Sequence, residues 1–269
     1  MWRSGDHGIS DVWGRFMTRE HADPLGEEAG IHLLYQPVYT LPTGPVGSVE
    51  ALIRSGSPTP ARVASSVPSA PSAHGNPNPE VFCQVLPEAL GQLVEWRSTM
   101  PMVAEVCLAV QLPALEFRDE QLLGRVDHLL ATHGLPGSAL RLEFMEYALT
   151  HGLVPTVEII AELRDLGVGP AIADFGTEYT SFALVKRSPI DVLKIHRSLI
   201  ISLGEKNNAN ETVIAALVAL AKAFGLSSIA EGWRPRSRQP RRLRSGATWR
   251  KVRGTRSRFL LARCVKPLD

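Results

Sequence analysis

Five carboxylates, Glu50, Glu143, Glu146, Asp174 and Glu231, each stand at or just inside the end of a short apolar run that reads as a β-strand. One strand-end carboxylate is usually a hydrogen-bonded polar group or a helix N-cap. Several brought to one place repel each other unless a cation neutralises them. Carboxylates are hard oxygen donors, so the chemistry that this set suggests is that of a divalent metal site.

What could bring them together is read from the runs themselves. IHLLYQPVYTL and VGSVEALIR are rich in β-branched and aromatic residues and are separated by Pro42, Gly44 and Pro45, a pattern for two strands joined by a turn. From residue 81 onward strand-like and helix-like segments alternate. The helices are VFCQVLPEALGQLVEW, DEQLLGRVDHLLATHG, VPTVEIIAELRDLG, the short SFALVKR and NANETVIAALVALAKAFG; the strands are AEVCLAVQL, ALRLEFME, PAIADF, DVLKI and SSIAE. Strands that alternate with helices imply parallel βαβ units, and about eight of them close a barrel. The expected fold is therefore an α/β, TIM-like (β/α)8 barrel, with the acidic residues at the carboxyl ends of its strands, where such barrels keep their chemistry.

Between the second strand and the first helix, residues 55–79 hold six prolines and six serines and no apolar period, the composition of a flexible loop. Residues 1–30 read as a weakly patterned lead-in. The chain opens without the basic-then-apolar pattern of a signal peptide, and no apolar run reaches the roughly 18 residues of a membrane span, so a cytoplasmic protein without membrane association is expected. Cys83, Cys107 and Cys264 are scattered, fall in no metal-ligand spacing and read as free thiols.

Six short motifs resemble those of one family. Tyr35-Gln36-Pro37, Glu50-Ala51-Leu52-Ile53-Arg54, Glu143-Phe144-Met145-Glu146, Asp174-Phe175-Gly176-Thr177, Asp191-Val192-Leu193-Lys194-Ile195 and Ala230-Glu231-Gly232 occur in the order and spacing of EAL domains. Any one tripeptide is weak evidence; six in register are specific. The resemblance implies a (β/α)8 barrel with an antiparallel first strand and hydrolysis of cyclic di-GMP to pGpG with two Mg2+ or Mn2+ ions. It implies Glu50, Gln111, Glu143 and Asp174 as metal ligands and Lys194, Glu231 and Glu146 as catalytic residues. Within that set Glu231 would serve the second metal, Lys194 would hold the attacking water or a phosphate oxygen, and Glu146 would anchor the loop after Asp174. Gln36 and Arg54 would contact the dinucleotide. A signalling-protein partner and a homodimer are compatible with it.

The sequence also departs from the family's pattern. Where the family has two adjacent aspartates before Phe-Gly, the first bridging both metals, this chain has Ala173 and Asp174. The family's asparagine after the third strand is Gln111, which sets its amide oxygen one methylene further out. The aspartate after Lys-Ile is His196, read as a structural or surface residue rather than a new ligand. A methyl group cannot coordinate a cation, so catalytic impairment is expected. Without metals, Gln36, Arg54 and Lys194 would remain to hold phosphates in a non-catalytic receptor or protein-interaction module.

Charge is divided unevenly: residues 233–269 carry 13 of the 29 Lys and Arg but only 1 of the 27 acids. Within 233–258 ten Arg and one Lys show no heptad or alternating period. A basic tail binding nucleic acid through its phosphates is one reading, set second because Trp233 and Trp249 are isolated and no reading motif surrounds them. The other is translation out of frame. Losing one base from GGN GTG GAG ACC, a family-like Gly-Val-Glu-Thr, spells Gly232-Trp233-Arg234-Pro235, and shifting Gly246 to Val252 back by one base restores a Gln-Gly pair that the family carries late in the domain. In this reading 31–232 and 259–269 belong to one EAL domain, 233–258 is the out-of-frame segment, and the last barrel helix is incomplete, since an Arg-rich stretch has no apolar face to supply it.

Overall fold

The structure, a computed structural model, describes residues 31–40, 46–55, 79–100, 103–150, 156–176, 182–201, 209–233 and 259–263. β1 (Ile31–Thr40) and β2 (Val46–Ser55) pair antiparallel, with Gln36 opposite Glu50. From β2 the sheet runs parallel through β3 (Cys107–Gln111), β4 (Leu140–Met145), β5 (Gly169–Phe175), β6 (Val192–Ile195), β7 (Ser227–Trp233) and β8 (Phe259–Arg263). β8 returns to pair antiparallel with β1, Val38 opposite Ala262, and the barrel is closed. The expected barrel and its antiparallel first strand are both present.

Helices follow the strands: α1 (Pro79–Thr99), α2 (Leu122–Thr132), α3 (Glu146–Thr150), α4 (Thr156–Asp165), α5 (Phe182–Arg187), α6 (Arg197–Ile201) and α7 (Asn210–Ala223). Each long helix turns one apolar stripe inward. In α1 it is Phe82, Val85, Leu86, Ala89, Leu90, Leu93 and Trp96, in α2 Leu122, Val126 and Leu130, and in α7 Ile214, Leu217 and Ala221. Pro79 takes the first position of α1, where its missing N–H costs nothing, and Glu80 in the first turn favours the helix dipole. The short helices α3 and α6 were not expected; each directly follows a strand and is five residues long, too short to show a period.

Strand alternation separates two apolar clusters. Tyr35, Val49, Leu108, Val110, Leu140, Leu142, Phe144, Ile172, Leu193 and Ile195 face outward and join the helix stripes in one continuous core. Val38, Ala171, Val192 and Ile229 form a second, small cluster. These four share the parity of Gln36, Ala173, Lys194 and Glu231, so they fill the barrel interior beneath the carboxylates. The residues between β7 and β8, and the loop expected at 55–79 apart from its two ends, lie outside the described residues, as do the lead-in and Cys264. Among the described residues no helix is long and apolar enough to cross a membrane.

Candidate active site

Three of the five carboxylates meet. Lys194, on the inward face of β6, sets its ammonium Nζ 3.0 Å from Glu50 Oε1 of β2 and 3.0 Å from Glu231 Oε1 of β7, and in direct contact with Glu143 Oε2 of β4. Strands that are not neighbours in the sheet are thereby joined across the barrel mouth. Lys194 and Glu143 are buried, and Glu50 and Glu231 are partly open. The cation that lets these carboxylates sit together is therefore, among the described residues, a lysine of the chain itself. Lys194, expected to hold the attacking water or a phosphate oxygen, is placed here against three acids.

The electrostatics follow from the count. Three carboxylates against one ammonium leave two negative charges uncompensated when all are ionised. Burial pushes the Glu143 carboxyl up to about 7; Lys194 pulls it down, while Glu50 and Glu231 push it further up. Burial works against charge on Lys194, but the three carboxylates outweigh it and hold its ammonium above the ordinary lysine range. Backbone geometry fixes the acids. The Leu112 amide donates to the Glu143 carbonyl at 2.6 Å, tying the end of β3 to β4, and in the register Gln111 stands beside Glu143.

Asp174 and Glu146 make other contacts. Ala173 shares the inward parity of Ala171, so strict alternation would turn Asp174 outward. Instead Asp174 adopts a left-handed backbone, φ 55°, and the β5–β6 register is irregular between Ile172 and Phe175. That turn carries its carboxylate to 3.8 Å from His196 Nε2, just beyond β6, where His196 Nδ1 also bonds Ser198 Oγ at 2.9 Å. The next turn is fixed by Glu146, which is buried and accepts the Gly176 amide at 3.1 Å. Gly176 has φ 97°, and a Cβ there would come within 3.0 Å of Leu199 Cδ1. At Gly232, φ 69°, a Cβ would lie 2.7 Å from Arg197 Cβ, which seats β7 against α6.

Lys194 was named from the sequence, but the cage of acids around it was not; the available signal was that a charged residue inside an otherwise apolar parallel strand has to find partners in the barrel. His196, read as a structural or surface residue, lies beside Asp174. Gln36 lies opposite Glu50, and Arg54 lies further along β2 opposite His32.

The donors are suited to a hard cation in type and in charge, being all carboxylate oxygen with a net negative excess. They are not drawn in to metal spacing: among the described residues no three His, Cys, Asp or Glu side chains are placed to hold a metal ion.

The EAL domain model matches residues 22–233, and the chain belongs to this family. It is 34% identical over 212 residues to the cyclic di-GMP phosphodiesterase PA2567 of Pseudomonas aeruginosa, a match covering 77% of this chain and 35% of that protein. The chain thus spans only about a third of that relative's length. Among solved structures, the PaMucR phosphodiesterase in complex with c-di-GMP superposes with a TM-score of 0.64 at 31% identity, covering 76% of this chain and 81% of that one. The fold is shared too by Klebsiella pneumoniae BlrP1, solved as a manganese and cy-diGMP complex, at 21% identity and a TM-score of 0.60, covering 80% of this chain and 52% of that one.

Proposed function

We propose that this chain is the cyclic di-GMP-handling barrel of a cytoplasmic signalling protein, its reaction being hydrolysis to pGpG and its turnover impaired. The observation that carries the reading is the convergence of Glu50, Glu143 and Glu231 from β2, β4 and β7 on one charged mouth. Mg2+ or Mn2+ would be held there by Glu50, Glu143 and Gln111, with Asp174 and Glu231 toward a second ion. Bound ions would supply Lewis acidity and lower the pKa of a water for attack at phosphorus. The chain's own groups orient and screen. Gln36, opposite Glu50, and Arg54 of β2 would contact the dinucleotide. Glu146 and Gly176 fix the turn that carries Asp174.

The impairment rests on Ala173. It occupies an inward position of β5 next to Met145 of β4, and its methyl offers no oxygen. Without ions the mouth is net negative and repels phosphate, so nucleotide binding by this chain requires a divalent cation. A metal-free receptor using Lys194 is disfavoured, because Lys194 is engaged by three acids. The test is calorimetric titration with cyclic di-GMP in Ca2+, in Mn2+ and in EDTA, with chromatography for pGpG. Binding that needs the cation, with slow or undetectable pGpG, supports the reading; equal binding in EDTA overturns it.

A further inference from the structure

Two of the three acids of the mouth, Glu50 and Glu231, stand off the Lys194 ammonium at close to an ammonium's own spacing. Charge-assisted N–H···O contacts lie at about 2.7–2.9 Å, whereas Mg2+ requires oxygens at about 2.0–2.1 Å. Lys194 Nζ sits at 3.0 Å from both Glu50 and Glu231, and its side chain is 2% exposed. Among the described residues no acid cluster has metal spacing. An ion shared by Glu50, Glu143 and Glu231 would have to sit among their carboxylates, where the Lys194 ammonium lies.

We propose that Lys194 is the resident cation of the barrel mouth and competes with the divalent ion, so that metal loading displaces its ammonium from Glu50, Glu143 and Glu231. This rests on the reading that the mouth takes a divalent cation. The charge argument agrees with the geometry: an ammonium offsets one of three negative charges, whereas a divalent ion offsets two and draws the oxygens about 1 Å closer. Apo chain and loaded chain are then two states of one cage, exchanged by a lysine rotamer.

Mn2+ titration of the full chain and of Lys194→Met tests it. Methionine keeps an unbranched side chain of similar reach but no charge. The expected result is Mn2+ binding at least about tenfold tighter in Lys194→Met, with a lower melting temperature in EDTA and a larger Mn2+-induced rise than in the parent. Equal or weaker Mn2+ binding in the variant overturns the proposal. If the variant does not fold without metal, amine labelling of the parent followed by mass spectrometry decides instead. Lys194 is expected to label slowly in EDTA and several-fold faster in saturating Mn2+, while exposed Lys222 of α7 keeps one rate. Unchanged labelling at Lys194 while Mn2+ binds contradicts displacement. Uptake of Mn2+ by neither protein overturns the cation-site reading and this proposal together, whereas equal uptake by both overturns this proposal alone.

Discussion

The Lys194 ammonium touches the Glu143 carboxylate across the inside of the barrel, β6 to β4, with both side chains buried. A buried ion pair of this kind contributes little net stability by itself, but removing one partner leaves the other uncompensated. Its consequence is a site whose charge state, cation uptake and stability are linked.

The link gives a pH dependence with a definite sign. Glu143 titrates near 7 in the folded chain, above its value of 4.5 in the unfolded one, so the folded state holds that proton more tightly. The stabilisation is complete below about 4.5 and is lost as pH rises through about 7. Lys194, also raised, keeps its contribution through this window and loses it only in alkali. In EDTA the parent should therefore lose melting temperature from pH 5.5 to 8 by a few degrees more than Glu143→Gln, which cannot titrate. Mn2+ affinity should move the opposite way, rising over the same interval as the carboxylate becomes available. Scanning calorimetry and titration at both pH values check it; parallel melting curves for the two proteins would refute it.

Restoring an oxygen at Ala173 should restore chemistry. Ala173→Asp places a carboxylate at the inward position of β5, and pGpG formation in Mn2+ is expected to rise by roughly 100-fold or more, the scale of a positioned catalytic group. The same change should lower the melting temperature in EDTA, since it adds a fourth acid to a cage with one lysine. Chromatographic rates on the parent and variant decide the first point, and a turnover unchanged by the substitution would show that Ala173 is not what limits it.

Gly176→Ala tests the turn that carries Asp174. A methyl group there meets Leu199 Cδ1 at 3.0 Å and sits on a backbone with φ 97°. A loss of about 1–3 kcal/mol is expected from denaturant melts, with weaker cation binding because the Glu146 contact to this amide shifts. Wild-type stability would mean that the turn relaxes freely.

Away from the mouth, Arg125 of α2 bridges Glu116 and Asp119 at 2.5 and 2.6 Å. Glu116 is buried, and burial raises its pKa against the pull of Arg125. Arg125→Ala strands that carboxylate and should cost about 2–4 kcal/mol in a urea melt without altering Mn2+ affinity. A change in Mn2+ affinity would tie this network to the mouth.

How much of this could be read from the sequence differs residue by residue. Glu50, Glu143 and Glu231 were legible because parallel strands end where their polar residues begin, and the barrel delivers all such ends to one face. Asp174 was legible as an acid but not in its direction: alternation puts it outward, and only the left-handed residue in the structure brings it round to His196. The lysine cage was missed because pairwise distances across a barrel depend on closure and register, which no local period encodes. The Arg-rich segment from 234 to 258 lies outside the described residues, and so does the question of its reading frame.

Anomalous diffraction from crystals soaked in Mn2+ tests the central claim most directly. The account requires a manganese peak bounded by Glu50 and Glu143, with the Lys194 ammonium moved off the cage. A mouth without manganese while Lys194 keeps all three carboxylates, at Mn2+ concentrations that saturate binding in solution, would contradict it.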